Sequence, residues 1–111
     1  MSALETVQNY IAMRQAGAGY EEALAAFFTK DGVLVDAYGT SYSGKNELMR
    51  YYKENPGTTA DNLTEPVVQK DGRLMLTFTV RKLFMDWPIR VYFEISKENS
   101  PLFTKVVIEC V

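Results

Sequence analysis

One carboxylate and two phenols stand where chemistry could use them. Asp36 closes the apolar run Val33-Leu34-Val35 and is followed by Ala37-Tyr38-Gly39. Asp is a poor strand former and is rarely buried without a partner, so its place at the end of such a run needs a physical reason. At the mouth of an apolar pocket it would be partly desolvated and suited to abstracting a proton. In a turn, its side chain would instead cap the backbone N–H groups of Ala37 to Gly39. Tyr10 lies near the apolar stripe of an N-terminal helix, and Tyr52 lies one helical turn past Leu48. Each phenol can face a pocket with its hydroxyl or pack as an ordinary core aromatic.

The composition narrows the chemistry further. The chain has no His and a single Cys, Cys110. That removes His-based triads, imidazole metal sites and an internal disulfide. Acid–base work falls to Asp, Glu, Tyr or Lys, with no cofactor or metal implied. Glu21 and Glu22 have no His or Cys nearby and read as acids favoured at a helix N-terminus. Cys110 sits in a strand-like run and reads as a small buried hydrophobe. With a net charge of −2, a pI near 5.1 and no basic cluster, nucleic acid is not an expected partner. The 111 residues, 47 % hydrophobic and 23 % charged, suit one soluble domain spanning 1–111. No apolar run is long enough to span a membrane. The opening MSALETVQNY lacks the basic-then-apolar pattern of a signal. The expected location is the cytoplasm, for a chain small enough to enter a nucleus.

The elements that must position these residues follow from periodicity and punctuation. Ser2-Ala-Leu-Glu5 is a capping-box pattern that opens a first helix with Leu4, Val7, Tyr10 and Ile11 on its apolar side, ended by Ala16 to Gly19. A second helix is expected from Tyr20 to Thr29, then a turn at Asp31-Gly32, a strand from Val33 to Asp36 and a turn at Gly39. Ser43 reads as the N-cap of a third helix, Gly44 to Lys53, stopped by Pro56-Gly57. Strands are expected at Glu65–Lys70, Arg73–Phe84, Ile89–Ile95 and Leu102–Val111, with turns at Asp71-Gly72, at Met85 to Pro88 and at Lys97 to Pro101. Ile89, Val91, Phe93 and Ile95 alternate with Arg90, Tyr92 and Glu94, so one face of the sheet is apolar. The fold class is α+β: three N-terminal helices packed in the concave face of a strongly bent, mostly antiparallel sheet, a cone-shaped α+β barrel with a pocket at its wide end.

That order resembles the nuclear transport factor 2-like cone superfamily, whose members include ketosteroid isomerases, SnoaL-like polyketide cyclases and non-catalytic association modules. The local likeness to the isomerases rests on Tyr10-Ile11, on Val35-Asp36 with Gly39, on Ser43-Gly44 and on Tyr51-Tyr52. The resemblance implies that Asp36 is the general base, that Tyr10 donates to a developing oxyanion and that Tyr52 supports Tyr10. It also implies a carboxylic acid on a late strand as a second oxyanion donor. Val91 stands at that register position and cannot donate, and losing one such donor lowers rates by a factor of about 10²–10³.

Together these readings lead to a small-molecule pocket protein of the SnoaL-like type. Its expected activity is an isomerase or cyclase step, with proton transfer beside a carbonyl from an Asp base, on an apolar or carbonyl-containing small molecule. Phe28, Phe78, Trp87, Val91 and Phe93 are the expected pocket residues. Trp87 either marks an exposed binding edge or folds over the mouth. The alternative is a non-catalytic dimeric association module, and the resemblance implies a homodimer through the open sheet face around Arg90, Tyr92 and Glu94. A third outcome is a cone filled by Phe78, Phe84 and Phe93, with no room for a ligand.

Overall fold

A computed structural model describes residues 2–57, 60–97 and 101–111. Helix α1 spans Ala3–Gln15, and its capping box is present: Glu5 N–H donates to Ser2 Oγ at 3.1 Å, and Ser2 N–H donates to Glu5 Oε1 at 3.3 Å. Val7 and Tyr10 are buried from this helix, whereas Leu4, expected on the stripe, is exposed. Helix α2 is one short turn-and-a-half, Glu21–Ala25, instead of the expected ten residues. Phe28 leaves the helix because strand β1, Phe28–Val35, already pairs there with the last strand.

The Asp31-Gly32 pair is a bulge within β1 and not a turn, since the register with the last strand shifts between Phe28 and Val33. A Cβ on Gly32 would lie 2.9 Å from Phe28 Cβ and 3.0 Å from the Phe103 carbonyl. Only glycine lets the two chains approach so closely. A short strand that sequence reading missed, β2 (Ser41–Ser43), folds back on β1 and leads directly into helix α3, Gly44–Glu54. Ser43 is the N-cap by position, but its hydroxyl makes no capping bond; Glu47 accepts the Ser43 N–H at 2.7 Å instead.

The other strands are β3 (Val67–Val68), β4 (Leu74–Lys82), β5 (Met85–Ile95) and β6 (Phe103–Cys110). They form one six-stranded sheet in the order β2-β1-β6-β5-β4-β3, with β1 and β6 parallel and every other pair antiparallel. The sheet is therefore open at both edges. It is a curved sheet, mostly antiparallel as expected, with one parallel pair, and it does not close into a barrel. The expected turn at Lys97 to Pro101 falls largely on residues 98–100, outside the described residues. Among the described residues, no helix is long and apolar enough to cross a membrane.

Met85 to Pro88 are strand residues, so the expected turn there is displaced. The turn sits at Leu83 and Phe84, both at positive φ (55° and 62°). Pro88 is tolerated because its partner Thr79 directs its N–H and C=O to Asp61 on the other side, at 2.7 and 2.9 Å. That leaves a pair needing no cross-strand bond. Trp87 pairs with Val80 and remains 38 % exposed. Phe84 is 96 % exposed and so takes no part in filling the cone, and Cys110 is exposed, contrary to expectation.

The core lies between the helices and the inner sheet face, where Leu74 faces Phe93, Leu76 faces Val91 and Phe93 faces Val106. Two-residue hairpin turns with both φ values positive favour Asn-Gly, and bulky residues there carry strain of about 1 kcal/mol or more each. The double substitution Leu83→Asn with Phe84→Gly is expected to stabilise the fold by about 1–2 kcal/mol. Urea titration reads this as a raised midpoint with an unchanged slope.

Candidate functional site

The buried end of α1 meets α3 through two phenols. The Tyr10 and Tyr52 hydroxyl oxygens are 2.7 Å apart, one O–H donating to the other, in residues 4 % and 2 % exposed. Tyr10 is held edge-on by the rings of Phe27, Phe93 and Phe103, with centroids 5.6, 5.7 and 5.1 Å away. That packing leaves the ring one orientation. The pair carries two protons but uses one internally, and no other acceptor is paired with either hydroxyl among the described residues. With Tyr52 donating, Tyr10 keeps its own O–H for another acceptor.

Beside Tyr10 lies a cavity of about 190 Å³. Its wall is largely apolar: Phe78 and Val80 from β4, Ile89 and Val91 from β5, and Ile108 from β6. The segment after α3 supplies Gly57, Ala60 and Leu63, and α1 and α3 supply Tyr10, Ile11, Arg14 and Tyr51. A Cβ on Gly57 would overlap the Arg14 carbonyl, so glycine alone allows this segment to close down on the end of α1. Arg14 ties the same segment in place, its Nη1 donating to the Asn55 carbonyl at 2.8 Å while its guanidinium stacks 5.1 Å from the Tyr52 ring centre. At about 190 Å³ the cavity is smaller than the roughly 300–1,000 Å³ of drug-sized ligand sites. It fits a small ring, or one end of a longer molecule.

The expected site residues divide between this cavity and its surroundings. Tyr10, Phe78 and Val91 line it. Tyr52 stands behind Tyr10, bonded to it. Phe93 is fully buried in the core, and Phe28 is buried near α2 and α3, away from the cavity lining. Trp87 lies further along β5 on the side of Val80. Asp36 lies just past β1, and its Oδ1 accepts the N–H groups of Tyr38 and Thr40, both at 2.9 Å. It is not among the lining residues, although its charge is felt at Tyr51, which is. Arg14 was not singled out from sequence, and Tyr51 was named only as the first of an aromatic pair, not as a site residue. Arg14 lies four residues after Tyr10, one turn along the same helix face, and that spacing was the available signal. On the outer sheet face, Arg90 Nη1 donates to the Tyr92 hydroxyl at 3.3 Å and lies 3.6 Å from Glu109, and Arg73 stacks 4.2 Å over the Tyr92 ring.

The electrostatics make the phenols donors. Burial pushes Tyr10 and Tyr52 above the ordinary phenol range and Tyr51 up to about 12; Arg14 acts on all three in the opposite sense. Neutral across the working pH range, they can polarise an acceptor oxygen but cannot take a proton. Among the described residues, no group of three or more His, Cys, Asp or Glu is placed to hold a metal ion.

No family model and no curated protein matches this chain. Solved structures do match its fold. A Sphaerobacter thermophilus protein aligns with a TM-score of 0.84 at 19 % identity, covering 100 % of this chain and 97 % of its own. A Pseudomonas putida protein described as a candidate polyketide cyclase aligns at 0.77 and 18 % identity, covering 100 % and 92 %. Nuclear transport factor 2 from Cryptosporidium parvum aligns at 0.74 and 14 % identity, covering 96 % and 90 %.

Tyr52→Phe leaves the buried Tyr10 hydroxyl without its partner and is expected to destabilise the fold by about 1–2 kcal/mol. The double variant Tyr10→Phe with Tyr52→Phe, which removes both polar atoms, is expected to lose less than the two single losses added together; a urea-denaturation cycle reads the difference. Raised phenol pKa values favour the folded state below the unfolded phenol value of 10 and lose that contribution as pH rises through the folded values. Stability is therefore expected to fall from about pH 10 towards and beyond 12, with tyrosine ionisation at 295 nm tracking unfolding.

Proposed function

We propose that this chain, whose fold is that of the nuclear transport factor 2-like superfamily, binds a small apolar molecule bearing a carbonyl group in the cavity beside Tyr10. The observation that carries this reading is the Tyr10–Tyr52 pair, a buried donor with a proton to spare at the edge of an apolar cavity. A carbonyl oxygen placed there receives a hydrogen bond strengthened by the second phenol, while the hydrocarbon part of the ligand displaces water from Phe78, Ile89 and Val91. The candidate cyclase among the structural neighbours supports a pocket function in kind.

A second, catalytic reading adds proton transfer by Asp36, giving an isomerase or cyclase. Its support is that one oxygen of Asp36 is occupied by the turn while the charge reaches Tyr51 on the cavity wall. Pairing of two copies through the outer sheet face, around Arg90, Tyr92 and Glu94, belongs to the same proposal.

Titration calorimetry with 2-cyclohexenone and with cyclohexane tests the binding reading. The enone is expected to bind more tightly than the hydrocarbon, and Tyr10→Phe to weaken the enone about fivefold while sparing the hydrocarbon. Equal binding of the enone by wild type and Tyr10→Phe would remove the phenol from the site. Catalysis is read separately, by NMR of deuterium uptake beside the carbonyl in heavy water. Uptake above buffer that disappears in Asp36→Asn supports the second reading, and uptake no faster than buffer ends it while leaving binding intact.

A further inference from the structure

The cavity described above has a polar end whose chemistry is one-sided. Its only charged lining residue among those described is Arg14, and no Asp or Glu lines it. This is notable in a chain with 14 acidic and 12 basic residues. Among the described residues, none of the ion pairs includes Arg14, since these join Lys45 to Glu22, Arg73 to Asp71 and Arg90 to Glu109. One of its nitrogens donates to the Asn55 carbonyl and its plane rests on the Tyr52 ring. These two contacts orient the guanidinium and, among the described residues, leave most of its five N–H donors unused. Arg14 lines the cavity together with Tyr10 and Tyr51, and its stacking on Tyr52, the partner of Tyr10, puts cation and phenols at the same end. The opposite wall is hydrocarbon.

We propose that the ligand of this cavity is an amphipathic carboxylic acid, its carboxylate held by Arg14 and the phenol of Tyr10 and its hydrocarbon lying along Phe78, Val80, Ile89 and Val91. The proposal rests on the cavity being a ligand site and names the head group that site selects. A planar guanidinium already oriented by stacking and by one backbone bond can receive a carboxylate in two parallel hydrogen bonds at small entropic cost. A neutral ketone offers a single oxygen and no opposite charge, so it gains less from the guanidinium. A cation with no carboxylate in the wall among the described residues disfavours a cationic ligand by the same logic. The cavity's modest volume holds the head and the first carbons of a chain, with the remainder leaving along the apolar strip towards Trp87, which continues the β4–β5 register beyond Phe78 and Ile89.

The test compares octanoate with nonan-2-one, in which a methyl group replaces one carboxylate oxygen, by titration calorimetry on the full chain. Wild type is expected to bind octanoate at least about tenfold more tightly at low salt, with added sodium chloride weakening octanoate and sparing the ketone. Arg14→Met is expected to abolish the preference, and Arg14→Lys to retain part of it. The salt series on wild type gives the answer independently should Arg14→Met disturb the Asn55 contact. Equal binding of both probes by wild type, or an octanoate affinity indifferent to salt, overturns the carboxylate assignment and leaves the cavity reading standing. Binding of neither probe overturns both.

Discussion

Everything proposed for this molecule depends on one buried hydrogen bond, between the hydroxyls of Tyr10 and Tyr52. It joins the first helix to the third across the apolar interior, where the surrounding ring packing is non-directional; the Arg14–Asn55 bond adds a second tie at the end of α3. Hydrophobic packing tells helices how much surface to bury but not at which rotation or depth. A hydroxyl pair at 2.7 Å sets both, because an unpaired hydroxyl in that place is costly. The aromatic rings around Tyr10 fix where its hydroxyl oxygen sits. The same pair that orients the helices thus supplies the donor at the cavity edge.

The cavity exists because two elements fail to close over the sheet. The sheet keeps both edges open, so its inner face runs on past the helices, through Phe78 and Ile89 to Val80 and Trp87. The segment after α3 covers part of that strip and can do so only because Gly57 passes hard against the end of α1. Arg14 acts at this junction as a structural tie, through Asn55, and, among the described residues, as the one charge at the cavity wall. Residues that serve both purposes are those on which stability and binding are hardest to separate, which is why paired ligands are more informative here than single variants.

Much of this was legible in sequence. The capping box at Ser2, the strand alternation around Val91 and the helix after Ser43 obey local rules with local causes, and they stand in the structure. The misread pieces share another cause. Asp31-Gly32 looked like a turn and is a bulge forced by contact with Phe103. The Met85–Pro88 stretch looked like a turn and is strand, because β4 and Asp61 absorb the missing hydrogen bond of Pro88. Phe84 looked like core and is at a hairpin apex. In each case a distant partner overruled the local preference, and no pattern within a few residues could announce it.

The amino-acid sequence by itself determined the class of chemistry open to this protein. With no His and one Cys, it left only phenols, carboxylates, amines and guanidinium groups, and the elements that hold them follow from periodicity. Only the tertiary structure decided which of these groups meet. It paired Tyr10 with Tyr52 across 42 positions, brought Arg14 and Tyr51 to the same wall, and gave Asp36 to a turn, where its Oδ1 binds backbone N–H groups. Hydrogen bonds and charges act over a few ångströms of space, whatever the separation along the chain. A site is therefore a property of the folded arrangement, and the sequence can name its components before it can show their meeting.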